Sequence, residues 1–68
     1  MNPKIIQTEI NIAHYEARLM QLGESLAIHT DNGDELGIKI INNNIAFVQE
    51  QLKESMELLD LLTDKNDV

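Results

Sequence analysis

The chain contains no cysteine, no tryptophan, one proline and only two aromatic residues, Tyr15 and Phe47. Without cysteine, neither a disulfide framework nor a thiolate zinc site can reinforce the fold. The 68 residues make a single domain, 1–68. At this size one core rarely contributes more than ~3–5 kcal/mol of stability. We therefore expect association with further chains to supplement the core.

Basic residues are also scarce, with five against twelve acids and a net charge of −7 at pH 7. This balance disfavours non-specific attraction to nucleic acid or to an anionic membrane. Gln7, Thr8 and Glu9 interrupt the first apolar stretch well before it reaches the roughly 20 residues of a membrane span. We expect a cytoplasmic protein that has neither a signal peptide nor membrane contact.

Apolar residues recur at alternating steps of three and four in both halves of the chain, as in packed amphipathic helices. In the first half this row, or seam, comprises Ile5, Thr8, Ile12, Tyr15, Leu19, Leu22, Leu26 and His29. In the second half the seam comprises Ile38, Ile41, Ile45, Val48, Leu52, Ser55, Leu59 and Leu62. The two seams predict an all-α fold with helices at about residues 3–30 and 34–63.

Several residues mark the ends of these helices. Asn2 precedes the single proline, an order that predicts a capping residue followed by the first helical residue. The pair Asn32-Gly33 predicts a break, with Asp31 as the preferred cap of helix two and Asn32 as second choice. Gly23 costs about 1 kcal/mol relative to alanine and allows a kink or a close helix contact. The short connection predicts an antiparallel hairpin, and residues 64–68 should fray.

Residues 37–48 also admit a β-hairpin as an alternative. Two runs of high strand propensity, Gly37 to Ile41 and Ile45 to Val48, flank three asparagines. The asparagines, however, lie on the helix face opposite the seam, where solvent-facing residues belong. The seam also continues to Leu62, beyond any strand. The pattern therefore favours a helix.

A second apolar line runs along helix one, turned away from its seam, and helix two also keeps apolar residues outside its own seam. The predicted oligomer interface comprises Ile6, Ile10, Ala13, Ala17, Met20 and Phe47. One facing helix cannot cover two lines, and at ~25 cal/mol per Å² their exposure would forfeit several kcal/mol. We predict a homo-oligomer, first of all a dimeric four-helix bundle, or a higher helical oligomer. The alternative is a monomer with exposed isoleucines.

One polar row on helix one contains no acid, although the chain has twelve. This polar strip comprises Lys4, Gln7, Asn11, His14, Arg18, Gln21 and Ser25. It holds the only arginine and one of the two histidines. Such a donor-rich face suits phosphates, an RNA minor groove or an acidic protein. We predict Lys4 to Gln21 of this strip as a binding surface, with an ordinary solvated helix face as the alternative.

Acidic residues crowd the outer side of helix two and form a second candidate partner surface. This acidic edge comprises Glu50, Glu54, Glu57 and Asp60. It has the charge to occupy a basic site on a partner protein. An edge that only increases solubility is the alternative.

No motif for catalysis, for a metal or for a cofactor is present. Glu9 and His14 are five residues apart, which is not a helical ligand spacing, and His29 has no ligand residue four positions away. The segment after Asp31 fails as a calcium loop, because Leu36 stands where glycine is needed. There is no glycine-rich phosphate loop. We predict no enzyme, no catalytic residue, no metal and no cofactor.

In plan, the predicted dimer resembles the Rop type of RNA-binding helical bundle, in architecture and not in any sequence motif. The resemblance implies that a hairpin dimer can present paired faces of helix one to a ligand. From the residues, we predict a non-catalytic oligomeric protein that binds a macromolecule, a protein before any other class, as regulator, inhibitor or assembly factor. The alternative is binding of RNA or of a small phosphorylated ligand through the polar strip. A third hypothesis is a purely structural scaffold.

Overall fold

The computed structural model describes residues 2–64 and consists of two α-helices. Helix α1 comprises Pro3–Asp31 and helix α2 comprises Glu35–Asp64. Residues 2–64 contain no strand, so the all-α prediction is confirmed and the β-hairpin alternative for residues 37–48 is wrong. The predicted helix bounds are correct to within one residue. Residues 64–68 were expected to fray. Asp64 is the last residue of α2, and residues 65–68 lie outside the described residues.

The start of α1 is fixed by its capping residue. Asn2 has an extended backbone, and its side-chain oxygen accepts a hydrogen bond of 2.9 Å from the Lys4 N–H. Pro3 occupies the first helical position, where a backbone N–H would have no acceptor within the helix, so its absence costs no hydrogen bond. The predicted cap is therefore confirmed.

The turn between the helices is a C-terminal capping motif centred on Gly33. This glycine has φ +67°, the left-handed conformation that favours a residue without Cβ. The Asp34 N–H donates to the His29 carbonyl at 3.0 Å, and the Gly33 N–H donates to the Thr30 carbonyl at 3.1 Å. These two bonds are those of a Schellman motif and pair carbonyls that the end of α1 would leave unmatched.

The cap of α2 is Asp34, so the expectation of Asp31, or of Asn32 as second choice, is wrong. One carboxylate oxygen of Asp34 accepts a hydrogen bond of 3.0 Å from the Gly37 N–H. Asp31 remains the last residue of α1, and Asn32 is its C-cap. Asp34 therefore serves both helices: its N–H closes the capping motif of α1, and its side chain caps α2.

The two helices pack side by side along the predicted seams. The hairpin is elongated, with Cα extents of 53 × 15 × 13 Å. All eight seam residues of each helix are buried or half-buried, which confirms both rows. The most buried apolar residues are Leu22, Ile41 and Val48. Packed against them are Tyr15, Leu19, Leu26 and Ile45.

The seam also holds a buried polar residue near the start of α1. Thr8 is only 4% exposed. Its hydroxyl donates a hydrogen bond of 2.6 Å to the Lys4 carbonyl one turn earlier. A buried hydroxyl with a partner avoids the cost of an unmatched polar group, so a threonine is tolerated at this seam position.

Gly23 lies inside a continuous α1 and is exposed. A Cβ placed there would meet nothing within 4 Å. Helix α2 therefore makes no close approach at this position, and the close contact considered for Gly23 does not occur within the hairpin.

Candidate functional site

An open groove of about 500 Å³ lies between the two helices on one flank of the hairpin. Its lining residues are His14, Tyr15, Ala17, Arg18, Gln21, Asn44, Phe47 and Val48. Buried Val48 and half-buried Tyr15 belong to the seams, whereas Phe47 is largely exposed. The groove therefore combines an apolar base with the donors of the polar strip.

The predicted polar strip occupies the α1 side of this groove and extends beyond it. His14, Arg18 and Gln21 line the groove directly. Lys4 and Gln7 lie nearer the start of α1 and are exposed. The Gln7 side-chain amide donates a hydrogen bond of 3.0 Å to the oxygen of Asn11, so two members of the strip are paired with each other.

The basic side chains of the groove have no acidic partner in residues 2–64. Within that range, the single contact closer than 4.0 Å between a basic and an acidic side chain is His29 with Asp34, at 3.1 Å. Arg18 and His14 are exposed and take no part in it. A guanidinium binds carboxylate or phosphate oxygens in a bidentate manner. The groove thus offers one strong anion-binding group beside an aromatic ring.

Residues three, four or seven apart lie on the same face of a helix. The residues at these spacings from the groove residues therefore lie on the same side of the hairpin, and we call this side the groove flank. On α1 it carries the polar strip, followed by Ile28 seven residues after Gln21. On α2 it carries a row that continues from Asn44 and Phe47 in both directions. This α2 row comprises Ile40, Asn44, Phe47, Gln51, Glu54, Leu58 and Leu61.

The residues of the predicted oligomer interface are all exposed but do not share one flank. They are Ile6, Ile10, Ala13, Ala17, Met20 and Phe47. Phe47 and Ala17 line the groove beside Arg18. Met20 follows the seam residue Leu19, whereas Arg18 precedes it, and successive residues are ~100° apart on a helix. Met20 therefore points to the flank opposite Arg18, and no single flat contact covers both Met20 and Phe47.

The residues of the acidic edge are exposed as well, and they too divide between faces. They are Glu50, Glu54, Glu57 and Asp60. Glu54 stands seven residues after Phe47 and belongs to the groove flank. Glu50 and Glu57, one heptad apart, share the outer face of α2. The acidic edge thus spans more than one face of α2, and one of its members, Glu54, lies on the groove flank.

Neither histidine belongs to a cluster of metal ligands. Residues 2–64 hold no group of three or more histidine, cysteine, aspartate or glutamate side chains that could bind a metal ion. His29 is half-buried at the turn, where its Nδ1 pairs with Asp34. His14 lines the groove. The side chains that line the groove offer hydrogen-bonding groups, one permanent cation and apolar surface.

Sequence reasoning identified the α1 side of the groove and missed most of the α2 side. It singled out Phe47 for oligomerisation but assigned no role to Asn44. A usable signal was present, because Asn44 precedes the seam residue Ile45 as Arg18 precedes Leu19. In an antiparallel pair, positions that flank the two seams in the same way lie on the same side.

No helix within residues 2–64 combines the length and the apolar character needed to cross a bilayer. No protein-family model matches the chain, and no curated protein or solved structure shows significant similarity to it.

Proposed function

We propose that the chain is a non-catalytic helical hairpin that self-associates and binds a protein partner, as a regulator, inhibitor or assembly factor. The observation that carries this proposal is the distribution of its large apolar side chains. Among the described residues 2–64, three apolar residues are buried and no side chain is fully buried. In the same range ten large apolar residues are exposed, namely Ile6, Ile10, Met20, Ile28, Leu36, Ile40, Phe47, Met56, Leu58 and Leu61.

So much exposed apolar surface is unusual for a chain that functions alone. Covering one large apolar side chain completely is worth about 1.5–3 kcal/mol. Scattered exposed residues need no explanation, but contiguous apolar patches mark interaction surfaces. The groove flank concentrates such residues, with Phe47 close to Ile40 on one side and Leu58 further along the same row. A partner on this surface would add its apolar burial to that of the hairpin core.

Charge favours a protein over a nucleic acid as the main partner. The net charge of −7 opposes approach to a polyanion. The polar strip contains only two permanent cations, Lys4 and Arg18. Few phosphate contacts would form, and salt would weaken them easily. An apolar surface with a polar rim, by contrast, is the usual form of a protein interface.

Sedimentation equilibrium of the purified chain tests the self-association, and affinity capture from the native cell tests the partner. We expect a mass of at least two chains at tens of micromolar, of order the range in which weak assemblies dissociate. We also expect a captured protein that remains bound after nuclease treatment. A single-chain mass together with a capture that nuclease abolishes would contradict the proposal.

The groove supports a second candidate function, the binding of RNA or of a small phosphorylated ligand. The observation in its favour is that Arg18, His14 and Gln21 line one groove together with Asn44 and an exposed aromatic ring, Phe47. These groups match a phosphate and a stacked base.

The test of this second candidate is Arg18→Glu, with Lys53→Glu as its matched control. Each replaces one cation by an acid, so the change in net charge is the same, and Lys53 does not line the groove. With a mixed-sequence RNA oligonucleotide and with inorganic phosphate as probes, Arg18→Glu should abolish binding and Lys53→Glu should weaken it only through net charge. Equal losses for both variants would exclude the groove as the site.

A further inference from the structure

We propose that Asn32 is a site of spontaneous covalent modification, deamidation through a cyclic imide, which the folded turn suppresses and the opened hairpin permits. Asn32 is followed directly by Gly33 and is exposed at the turn between the helices. The co-reactant is water, and the chain itself supplies the nucleophile. The inference does not depend on what the groove flank binds.

The reaction begins at the backbone nitrogen of Gly33. After losing its proton to a base, this nitrogen attacks the side-chain amide carbon of Asn32. A new C–N bond closes the imide ring, the bond to the side-chain nitrogen breaks, and that nitrogen takes up a proton and leaves as ammonia. Water then opens the ring at either carbonyl, which gives aspartate or isoaspartate.

The glycine after Asn32 makes this asparagine the most reactive one in the chain. Gly33 has no Cβ, so no side chain hinders the approach of its nitrogen to the amide carbon. It forms the only Asn-Gly pair of the sequence. Asn44, by contrast, precedes the branched Ile45. The sequence therefore singles out Asn32 among the asparagines.

The first protection is the hydrogen bond made by the attacking nitrogen. The Gly33 N–H donates to the Thr30 carbonyl at 3.1 Å, as part of the Schellman motif. An amide proton held in such a bond is lost only when the bond opens, as in hydrogen exchange. The folded turn therefore withholds the nucleophile.

The second protection is the backbone conformation of Asn32. In the imide ring, the Cβ of Asn32 and the Gly33 nitrogen must be eclipsed about the bond from Cα to the carbonyl carbon. Asn32 has φ −87° and ψ −4°. A ψ near zero instead eclipses the Gly33 nitrogen with the backbone nitrogen of Asn32, and the side chain branches away. The rotation that reaction requires also moves the Gly33 N–H off the Thr30 carbonyl, so both protections are lost together when the turn opens.

Either product weakens the turn. Isoaspartate inserts a methylene into the main chain before Gly33, so the Gly33 and Asp34 N–H groups no longer match the carbonyls at the end of α1. Aspartate adds a negative charge at the carboxyl end of α1, where the helix dipole disfavours anions. A hairpin that opens is therefore modified, and a modified hairpin opens more often.

Peptide mapping by mass spectrometry measures the rate, at one mildly alkaline pH, for the folded chain and for the chain unfolded in guanidinium chloride. In the unfolded chain, Asn32 should be the first asparagine modified. The folded chain should react more slowly by about tenfold or more, because the open turn is a minor state. Gly33→Ala should slow the reaction of the unfolded chain several-fold, since the added Cβ obstructs the attack.

Two matched variants test whether the bonds of the turn provide the protection. Asp34→Ala removes the carboxylate that caps α2 and pairs with His29 across the turn at 3.1 Å. The ratio of its folded to its unfolded rate should rise by about two- to fivefold. Asp31→Ala removes the same charge on the other side of Asn32, but the Asp31 carboxylate is neither the cap nor the partner of His29. This variant should leave the ratio unchanged or lower it.

Each part of the inference has its own contrary result. Equal rates for the folded and unfolded chains would overturn the protection, and faster modification of another asparagine in the unfolded chain would overturn the site. A ratio that rises as much in Asp31→Ala as in Asp34→Ala would overturn control by the turn. The modified chain, once isolated, should unfold at a lower denaturant concentration than the intact chain, and an equal midpoint would overturn the weakening.

Discussion

Two glycines of the helices should respond to alanine in opposite ways. Gly37 lies in the first turn of α2, against the cap. A Cβ built there would lie 2.5 Å from Oδ2 of Asp34 and 2.8 Å from Nδ1 of His29. The same Asp34 carboxylate accepts the Gly37 N–H at 3.0 Å and pairs with His29 at 3.1 Å. Alanine at this position must displace the group that caps α2.

Whether Gly37→Ala stabilises or destabilises the hairpin depends on two opposing contributions. Alanine gains about 1 kcal/mol over glycine inside a helix, and less in its first turn. Loss of the cap costs about 1 kcal/mol, within a range of 0.5–2, and the exposed pair of His29 with Asp34 adds roughly 0–1. Gly37→Ala should therefore lower the free energy of unfolding by about 0.5–1 kcal/mol. Gly23→Ala, with nothing within 4 Å of its Cβ, should raise it by a similar amount.

Urea denaturation followed by circular dichroism measures both free energies, at one protein concentration because association contributes to stability. The two variants should differ by about 1–2 kcal/mol. Repeating Gly37→Ala in an Asp34→Ala background separates the two contributions. Without the carboxylate, the nearest contact of the added methyl group is gone, and the His29 ring, no longer paired with Asp34, can turn away from it. The substitution should then stabilise the hairpin. A Gly37→Ala variant as stable as Gly23→Ala would refute the assignment of Asp34 as the cap.

Four further substitutions test the seam and the cap of α1, each by the same urea titration. Leu22→Ala removes a core side chain and should cost about 2–4 kcal/mol, whereas the exposed Met20→Ala should stay within about 0.5 kcal/mol; equal losses would contradict the seam. Asn2→Ala should cost about 1 kcal/mol through the lost N-cap of α1, and no change would show that the cap is dispensable. Thr8→Val should be neutral or stabilising within about 1 kcal/mol, because the Lys4 carbonyl keeps its helical N–H partner; a larger loss would show that the hydroxyl is required.

The fold could be predicted from the sequence because the position of a residue relative to the seam determines its burial more than its own polarity does. Thr8 and Ser55 are polar, yet both occupy seam positions, and the structure buries the first and half-buries the second. A helix turns by a fixed angle per residue. Once the apolar residues determine which face of the helix is buried, the orientation of every residue between them is determined as well. The asparagines at 42–44 stay exposed for the same reason.

The capping residue of α2, by contrast, could not be predicted from the sequence. Asp31, Asn32 and Asp34 are all good capping residues and lie within four positions of one another. Local preference alone does not choose between them. The choice is made by the turn at Gly33, which extends α1 through Asp31, and by the pairing of Asp34 with His29. Both involve several residues of the turn acting together, which the capping preference of a single residue does not describe.

The polar strip and the α2 row share one flank, and this links the two proposed functions. A ligand seated between Arg18 and Phe47 covers the Phe47 ring, which belongs to the predicted oligomer interface. By linkage, a ligand that binds only the single hairpin must dissociate the dimer, and one that binds both states equally leaves it unchanged. Titrating inorganic phosphate or RNA into the dimer, and following its mass, therefore shows whether these functions compete. Competition that Arg18→Glu abolishes would place both on the groove flank, and a mass that stays constant while the ligand binds would locate the ligand elsewhere.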